Sequence, residues 1–487
     1  VQKDLIWAGS DDGLIHVTED GGKTWRDVTA GVPGLPAWGT VAMIEPSHFD
    51  ARTAYLVVDA HRLDDDRPYL WRTTDLGRTW KRLDGGLPRD VYLHSVKEDP
   101  TRRGLLYLGT ERGVVFSRDD GATWRSLRLN LPTVAVHDLV VKDDKLVLAT
   151  HGRSMWIFDD LGAVRDPLPS SATANGLYVF PVPNAVRWTF HNSYKGGWTI
   201  PNSPGGARVY YWLKDEPKGE VTLEVLDAAG KVVTTLSSKA KEPTGSSEYV
   251  KEEKDQLDEL ALPKKAGIQR GNWNLAWEGA EMISNAKLDS GYPGNGPAAV
   301  PGTYTLRLTV DGKTATAPFT LQRDPRETVS DADLAEQLRF TLGIRDTITR
   351  LTHDVLRLRA VRRQLAERNE LLAKDDKAKP LIEPARALID KLDALEARLH
   401  NPKAEITYDV LAQRGGTQLY SRLAPLMDWS TNGNGAPTDG MRQVFTAQVQ
   451  ELAADEAELS VLLDKDLAAL NQTAAQLGVP GVYVPRQ

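Results

Sequence analysis

Cysteine is absent from all 487 residues. That excludes disulfides, thiolate-ligated zinc and a thiol nucleophile together. Charge of one sign is also scarce, with 60 Lys and Arg against 67 Asp and Glu and a formal net charge of -7. So mild a balance over this length argues against nucleic acid as a partner, which calls for a basic surface. No run approaches the roughly 18 to 20 consecutive apolar residues of a bilayer-spanning helix, so no membrane span is expected. A leader is missing too: Val1-Gln2-Lys3-Asp4-Leu5-Ile6-Trp7 runs straight into a strand pattern, which predicts an interior point of a longer chain. HExxH, G-x-S-x-G, the P-loop and the dinucleotide fingerprint do not occur.

What is present is repetition. Thr18-Glu19-Asp20-Gly21-Gly22-Lys23-Thr24-Trp25 returns as Thr73-Thr74-Asp75-Leu76-Gly77-Arg78-Thr79-Trp80 and again as Ser117-Arg118-Asp119-Asp120-Gly121-Ala122-Thr123-Trp124. The steps from Asp20 to Asp75 to Asp119 are 55 and then 44 residues, the scale of one four-stranded propeller blade. Each copy follows two strand-like runs, such as Leu105 to Gly109 and Gly113 to Ser117. A fourth unit, Asp138 to Phe158, keeps the strands and loses the repeat. In each copy the Asp carboxylate can accept from the backbone of its own turn, Gly supplies geometry a β-carbon forbids, Thr closes the turn and Trp packs on the neighbouring strands. Asp20, Gly22 and Trp25, Asp75, Gly77 and Trp80, and Asp119, Gly121 and Trp124 are therefore read as structural. Three and a half blades over residues 1–165 cannot close a ring, so the remaining blades are expected as a partner from the same precursor or another chain.

At this length two to four domains are expected. Residues 177–323 alternate in short runs separated by turns such as Asp227-Ala228-Ala229-Gly230 and Asp311-Gly312, which predicts an immunoglobulin- or fibronectin-like β-sandwich. Ser237 to Lys265 and Glu281 to Ala299 read as loops. Residues 328–478 are helical. Ser330 is a candidate N-cap for a helix reaching about Lys374, and Leu381, Ala385, Leu388, Leu392, Leu395 and Leu399 are spaced 4, 3, 4, 3, 4. A stripe from Phe445 to Leu477 completes an antiparallel helical bundle, with 479–487 as a tail. The fold class is thus multidomain and mainly β: a partial propeller, a sandwich and a C-terminal bundle.

With the repeats stand Tyr107-Leu108-Gly109-Thr110-Glu111-Arg112-Gly113, Ala149-Thr150-His151-Gly152-Arg153-Ser154-Met155-Trp156-Ile157-Phe158-Asp159-Asp160, Gly271-Asn272-Trp273-Asn274-Leu275 and Pro301-Gly302-Thr303-Tyr304-Thr305-Leu306. The whole resembles the bacterial BNR/Asp-box "glycosyl hydrolase" proteins, with their sialidase-like or sortilin-like propeller, as a C-terminal half. The resemblance implies that the box residues lie at the blade periphery, away from any central site. It implies a glycan-directed protein, periplasmic or secreted, with a glycoside hydrolase as the enzymatic version and a site completed by blades outside this chain. A non-enzymatic sortilin-like binder of peptide or protein is the rival, and an assembly factor forming a homo-oligomer through its helical tail is a third. No motif fixes the catalytic residues.

Chemistry is therefore sought on the loops. Asp59 to Tyr69 is the most polar, and there His61 and Arg62 are candidate ligand contacts, Asp64 and Asp65 candidate catalytic acids, and Asp64, Asp65 and Asp66 a candidate Ca²⁺ site, with no cofactor required. Glu111 is a further candidate acid. Glu111 and Arg112 share the turn of one unit, His151 and Arg153 the equivalent turn of the next, so Arg112, His151 and Arg153 join the candidate ligand contacts. His94 and Glu98 are four apart on a strand, where the helical zinc arrangement does not apply, and His137-Asp138 reads as strand-end structure.

Overall fold

Apolar residues at every second position give the first third of the chain its strands, and the repeat turns fix where each strand stops. The computed structural model describes residues 2–183, 185–188, 205–242, 254, 257–258, 260–288, 290–407 and 413–485. It divides into two compact units, Val1–Pro167 and Leu168–Gln487. Among the described residues no helix is long and apolar enough to cross a membrane.

The first unit is a series of antiparallel meanders. β1 (Ile6–Gly9), β2 (Ile15–Thr18) and β3 (Arg26–Asp27) form a three-stranded sheet. Two four-stranded sheets follow: β4 (Thr40–Pro46), β5 (Ala54–Asp59), β6 (Leu70–Thr73) and β7 (Lys81–Arg82), then β8 (Leu93–Glu98), β9 (Leu106–Thr110), β10 (Gly113–Ser117) and β11 (Arg125–Ser126). The last sheet is β12 (Val136–Lys142), β13 (Lys145–Thr150) and β14 (Met155–Phe158). Their first strands pack in succession, β4 beside β8 and β8 beside β12, so the sheets stand side by side in a propeller-like manner. Tyr55, Val57, Leu70, Leu93, Val96, Leu106 and Leu108 fill the seam between the second and third sheets, each at most 2% exposed.

All three repeat turns share one hydrogen-bond scheme. The Thr24 N–H and hydroxyl donate to Asp20 at 2.9 and 2.7 Å, those of Thr79 to Asp75 at 2.9 and 2.6 Å, and those of Thr123 to Asp119 at 2.8 and 2.6 Å. A hydroxyl two residues before the Asp (Thr18, Thr73 or Ser117) donates to it and accepts from the N–H of Gly22, Gly77 or Gly121. Gly77 and Gly121 have φ of 80° and 84°, and a β-carbon there would strike Val28 or Leu83 of the preceding sheet. Glycine thus serves the turn and the inter-sheet packing at once. Trp80 is buried, Trp124 is half-buried with its indole N–H on the Leu83 carbonyl, and Trp25 is exposed.

In the second unit two sheets enclose one core. β15 (Leu177–Val179), β17 (Ala207–Leu213) and β20 (Gly267–Trp273) make the smaller, in the order β15-β17-β20. β16 (Ala185–Arg187), β18 (Val221–Leu226), β19 (Val232–Ser237), β21 (Gly302–Val310) and β22 (Lys313–Arg323) make the larger, in the order β16-β22-β21-β18-β19. β16 joins β22 in parallel, and all other pairs are antiparallel. Tyr211, Trp273, Tyr304 and Phe319 lie in their shared core. About half of the segment Ser237 to Lys265, residues 243–253, 255–256 and 259, lies outside the described residues.

The helical region follows its leucine spacing. Helix Asp331–Leu372 starts at Ser330, whose hydroxyl accepts the Asp333 N–H at 3.1 Å. Helix Lys379–Leu399 buries all six residues of its 4-3-4-3-4 stripe. Helix Asp439–Val461 passes through a π-turn, Leu462–Asp466, into helix Leu467–Gln476. The helices do not stand apart from the sheets: Ala280 and, within the segment expected as loop, Ile283 are buried among the helical leucines, and Leu338 and Leu342 pack on the sheet core.

Candidate functional site

The first strands of three successive sheets share an irregularity. In β4 the register slips between Val41 and Met43, in β8 between Leu93 and Ser95, and in β12 between Val136 and Asp138. The residues left over are Ala42, His94 and His137. A bulge re-aims the side chain it carries and is a common device at binding sites. The next turn of the same sheet returns to this place. The Glu111 N–H donates to the Tyr92 carbonyl at 3.1 Å, and in the following sheet the His151 N–H donates to the Ala135 carbonyl at 2.9 Å. The same backbone bond thus places Glu111 beside His94 and His151 beside His137.

A row of five rings results. His61 stacks on Tyr92 with centroids 4.5 Å apart and planes 16° from parallel. Tyr92 meets His94 at 5.2 Å, His94 meets His137 at 4.2 Å, and His137 meets His151 at 4.9 Å. Two carboxylates flank the row. Asp59 takes the His61 backbone N–H at 2.9 Å and faces its Nδ1 at 2.7 Å, while Glu111 Oε2 lies 3.0 Å from His94 Nε2. His94 is half-buried, and His137 and His151 are exposed, so the row opens to solvent at that end.

The environment sets the protonation of three members. Burial, reinforced by the hydrogen bond to Glu111, pushes the Tyr92 phenol up to about 12. Burial acts on Glu111 in the same sense, but hydrogen bonds from His94 and Tyr92 outweigh it and hold this carboxyl below its ordinary range. Burial and then the neighbouring His94 and His151 rings push His137 down, which favours the neutral imidazole. A neutral imidazole with a free lone pair beside an ionised carboxylate accepts protons, hydrogen bonds or a cation. Among the described residues, His94, Glu111 and His137 each present a donor atom within 4.8 Å of the others.

The residues singled out from sequence fall in three places. His61, Glu111 and His151 belong to the ring row. Arg112 sits on its turn and pairs with Asp90 at 2.9 Å. The remainder make no side-chain hydrogen bond or ion pair with the row among the described residues: Arg62 and Arg153 are exposed, and Asp64 closes the short helix His61–Leu63 in left-handed geometry at φ 56°. Asp65 is taken by the Arg67 guanidinium at 2.8 and 2.6 Å and by the Tyr69 hydroxyl at 2.7 Å, which together hold its carboxyl far down. Asp66 is exposed, and its charge reaches Tyr92. Tyr92 escaped sequence reasoning, Asp59 was marked only as the start of the polar loop, and His94 and His137, read from sequence as strand residues without a site role, stand in the cluster. A signal existed, because aligning the first strands of the repeats puts Ala42, His94 and His137 in one column.

A second polar cluster is internally satisfied. Buried Glu98 takes the Ser47 hydroxyl at 2.6 Å, the His48 N–H at 3.0 Å and the Tyr55 hydroxyl at 3.3 Å. Buried Asp99 takes Arg165 at 2.9 Å and Tyr107 at 3.1 Å. These carboxylates tie sheets together and leave little capacity for a ligand.

No family model matches the chain. A stretch of 111 residues, 22% of this chain, is 33% identical to vacuolar protein sorting/targeting protein 10 of Laccaria bicolor and spans 6% of that protein. Among solved structures, YCF48 bound to D1 peptide is similar over 32% of this chain and 48% of its own, at 18% identity and a TM-score of 0.22. The GH74 xyloglucanase of Xanthomonas campestris is similar over 70% of this chain and 46% of its own, at 14% identity and a TM-score of 0.27. Likenesses this remote transfer no residue role.

Proposed function

We propose that this chain is a glycan-directed propeller protein of the Asp-box type, acting outside the cytoplasm, which binds its ligand at the ring row of the first unit. The observation that carries this reading is the convergence of His61, Tyr92, His94, His137 and His151 with Asp59 and Glu111 at one open end of three sheets. Sugar hydroxyls need paired donors and acceptors on a rigid frame, and imidazoles beside carboxylates supply both. Hydrolysis asks for more, namely a second carboxyl kept protonated to act as general acid. Glu111 is held in the opposite state, which favours binding over cleavage. In this reading the box residues Asp20, Asp75 and Asp119 are scaffold, and the two sheets of the second unit form a sandwich of immunoglobulin or fibronectin kind.

The test is an array of neutral and sialylated glycans probed with the protein and with His137→Ala and Glu111→Gln. Retention of a glycan class, lost in both variants and without release of reducing sugar, is the expected result. No glycan retained would overturn it. The second reading is a sortilin-like binder of peptides, favoured by the 33% identity to a protein named for sorting and targeting. Peptide retention that depends on His137 would move the conclusion there.

A further inference from the structure

We propose that His94, Glu111 and His137 form a Zn²⁺ site with one coordination position open to solvent. Two imidazoles and one carboxylate are a donor set typical of zinc centres that keep a free position. A tetrahedral ion with bonds of about 2 Å holds its donors roughly 3.3 Å apart. His94 Nε2 and Glu111 Oε2 already stand at 3.0 Å, and the His137 donor lies within 4.8 Å of both. His137 is exposed, and the remaining gap is the distance its ring has to cover on binding the ion.

The backbone and the outer groups are arranged as such a site requires. Two ligands come from equivalent bulges on adjacent strands, and the third from a turn tied to Tyr92 by a backbone hydrogen bond, so each rests on the sheet framework. Glu111 is engaged by the Tyr92 hydroxyl, and Tyr92 is backed by the His61 ring, which Asp59 holds. A hydrogen-bonded outer layer of this kind orients a ligating carboxylate. Calcium is a poor fit, because it selects oxygen donors and takes six to eight of them. The site does not depend on a glycan being the ligand.

The experiment uses the full chain without a histidine tag, stripped with a chelator and titrated with Zn²⁺ by calorimetry. In parallel, Co²⁺ is added and its visible ligand-field absorption recorded. One equivalent of Zn²⁺, an intense four-coordinate Co²⁺ spectrum and a rise in melting temperature with Zn²⁺ but not Ca²⁺ are expected. His94→Ala, His137→Ala and Glu111→Gln should each abolish the stoichiometric site. Tyr92→Phe, which removes only an outer hydrogen bond, should weaken Zn²⁺ by roughly 10- to 100-fold. Circular dichroism of each apo variant separates loss of metal from loss of fold, and His48→Ala, outside the row, should bind as the parent does. Absence of stoichiometric Zn²⁺ binding, preference for Ca²⁺, or a site that survives His94→Ala in a folded protein would overturn the proposal.

Discussion

At the scale of single residues, the repeat carboxylates are held by their own turns. The backbone and hydroxyl of Thr24 bring Asp20 down to about 2, and against burial Thr123 and Ser117 bring Asp119 to about 2 as well. A folded-state value below that of the unfolded chain means stability that is full above about pH 4 and is lost as pH falls through about 2. Melting curves recorded down that range should therefore show a progressive fall in midpoint, flattened when Asp20, Asp75 and Asp119 are all replaced by Asn. At neutral pH Asp119→Ala should cost about 1 kcal/mol in chemical denaturation, the net worth of the hydrogen bonds removed, and leave Zn²⁺ binding at the ring row untouched. A midpoint indifferent to acid would refute the role assigned to these turns. The repeat residues were legible in the sequence because the turn is local: Asp, Gly and Thr sit within five positions and satisfy one another. His94 and His137 were not, because their partners lie across strands, and a bulge cannot be seen in an alternating pattern that it breaks by one residue.

At the scale of elements, Gly109 on β9 is the narrowest contact near the site. A β-carbon there would stand 2.3 Å from the Val136 carbonyl oxygen and 2.4 Å from Ser95 Oγ. Gly109→Ala must therefore push β12 off β9 and carry the His137 bulge with it, at a cost of roughly 1–3 kcal/mol. Zn²⁺ titration and thermal melting should both register the change, and a variant with unaltered affinity would mean that β12 is not set by this contact. Helix Asp331–Leu372 offers a different case. Burial first, and then the charge of Glu456 on helix Asp439–Val461, push Asp354 up to about 6, although Arg357, Arg350 and His353 pull the other way. A value raised on folding means that the native state holds this proton longer than the unfolded chain, so stability declines from about pH 4 to 6 and stays lower above. Asp354→Asn should accordingly stabilise the protein at pH 8 by on the order of 1–2 kcal/mol, seen as a higher melting temperature, and change little at pH 4. A loss at pH 8 would show that the ion pair with Arg357 outweighs the burial. The leucine spacing disclosed these helices, but not the acid, since nothing local marks position 354 as facing a neighbouring helix.

At the scale of the molecule, composition and pattern separated the sheets of residues 177–323 from the helices of residues 328–478, yet the two belong to one compact unit. The reason lies in a segment that reads as loop. Between β20 and β21 the chain carries Ala280 and Ile283 into the helical core, while Thr349 and Thr352 of helix Asp331–Leu372 bond to Glu281, through its N–H at 3.2 Å and its carbonyl at 2.9 Å. Leu338 and Leu342 on the same helix cover the sheet core. Glycine and proline in the segment hid this, because irregular backbone looks the same in sequence whether it faces water or a core. Sheets and helices of residues 168–487 should therefore unfold as one cooperative body. Ile283→Ala, at a side chain only 2% exposed, should cost roughly 2–5 kcal/mol and, in hydrogen exchange, accelerate β20 and β21 together with helices Asp331–Leu372 and Lys379–Leu399. Helices that lose protection while the sheets keep theirs would show two independent bodies joined at Asp324. In that case the buried loop would be a contact between domains and not the part of the core that makes them one.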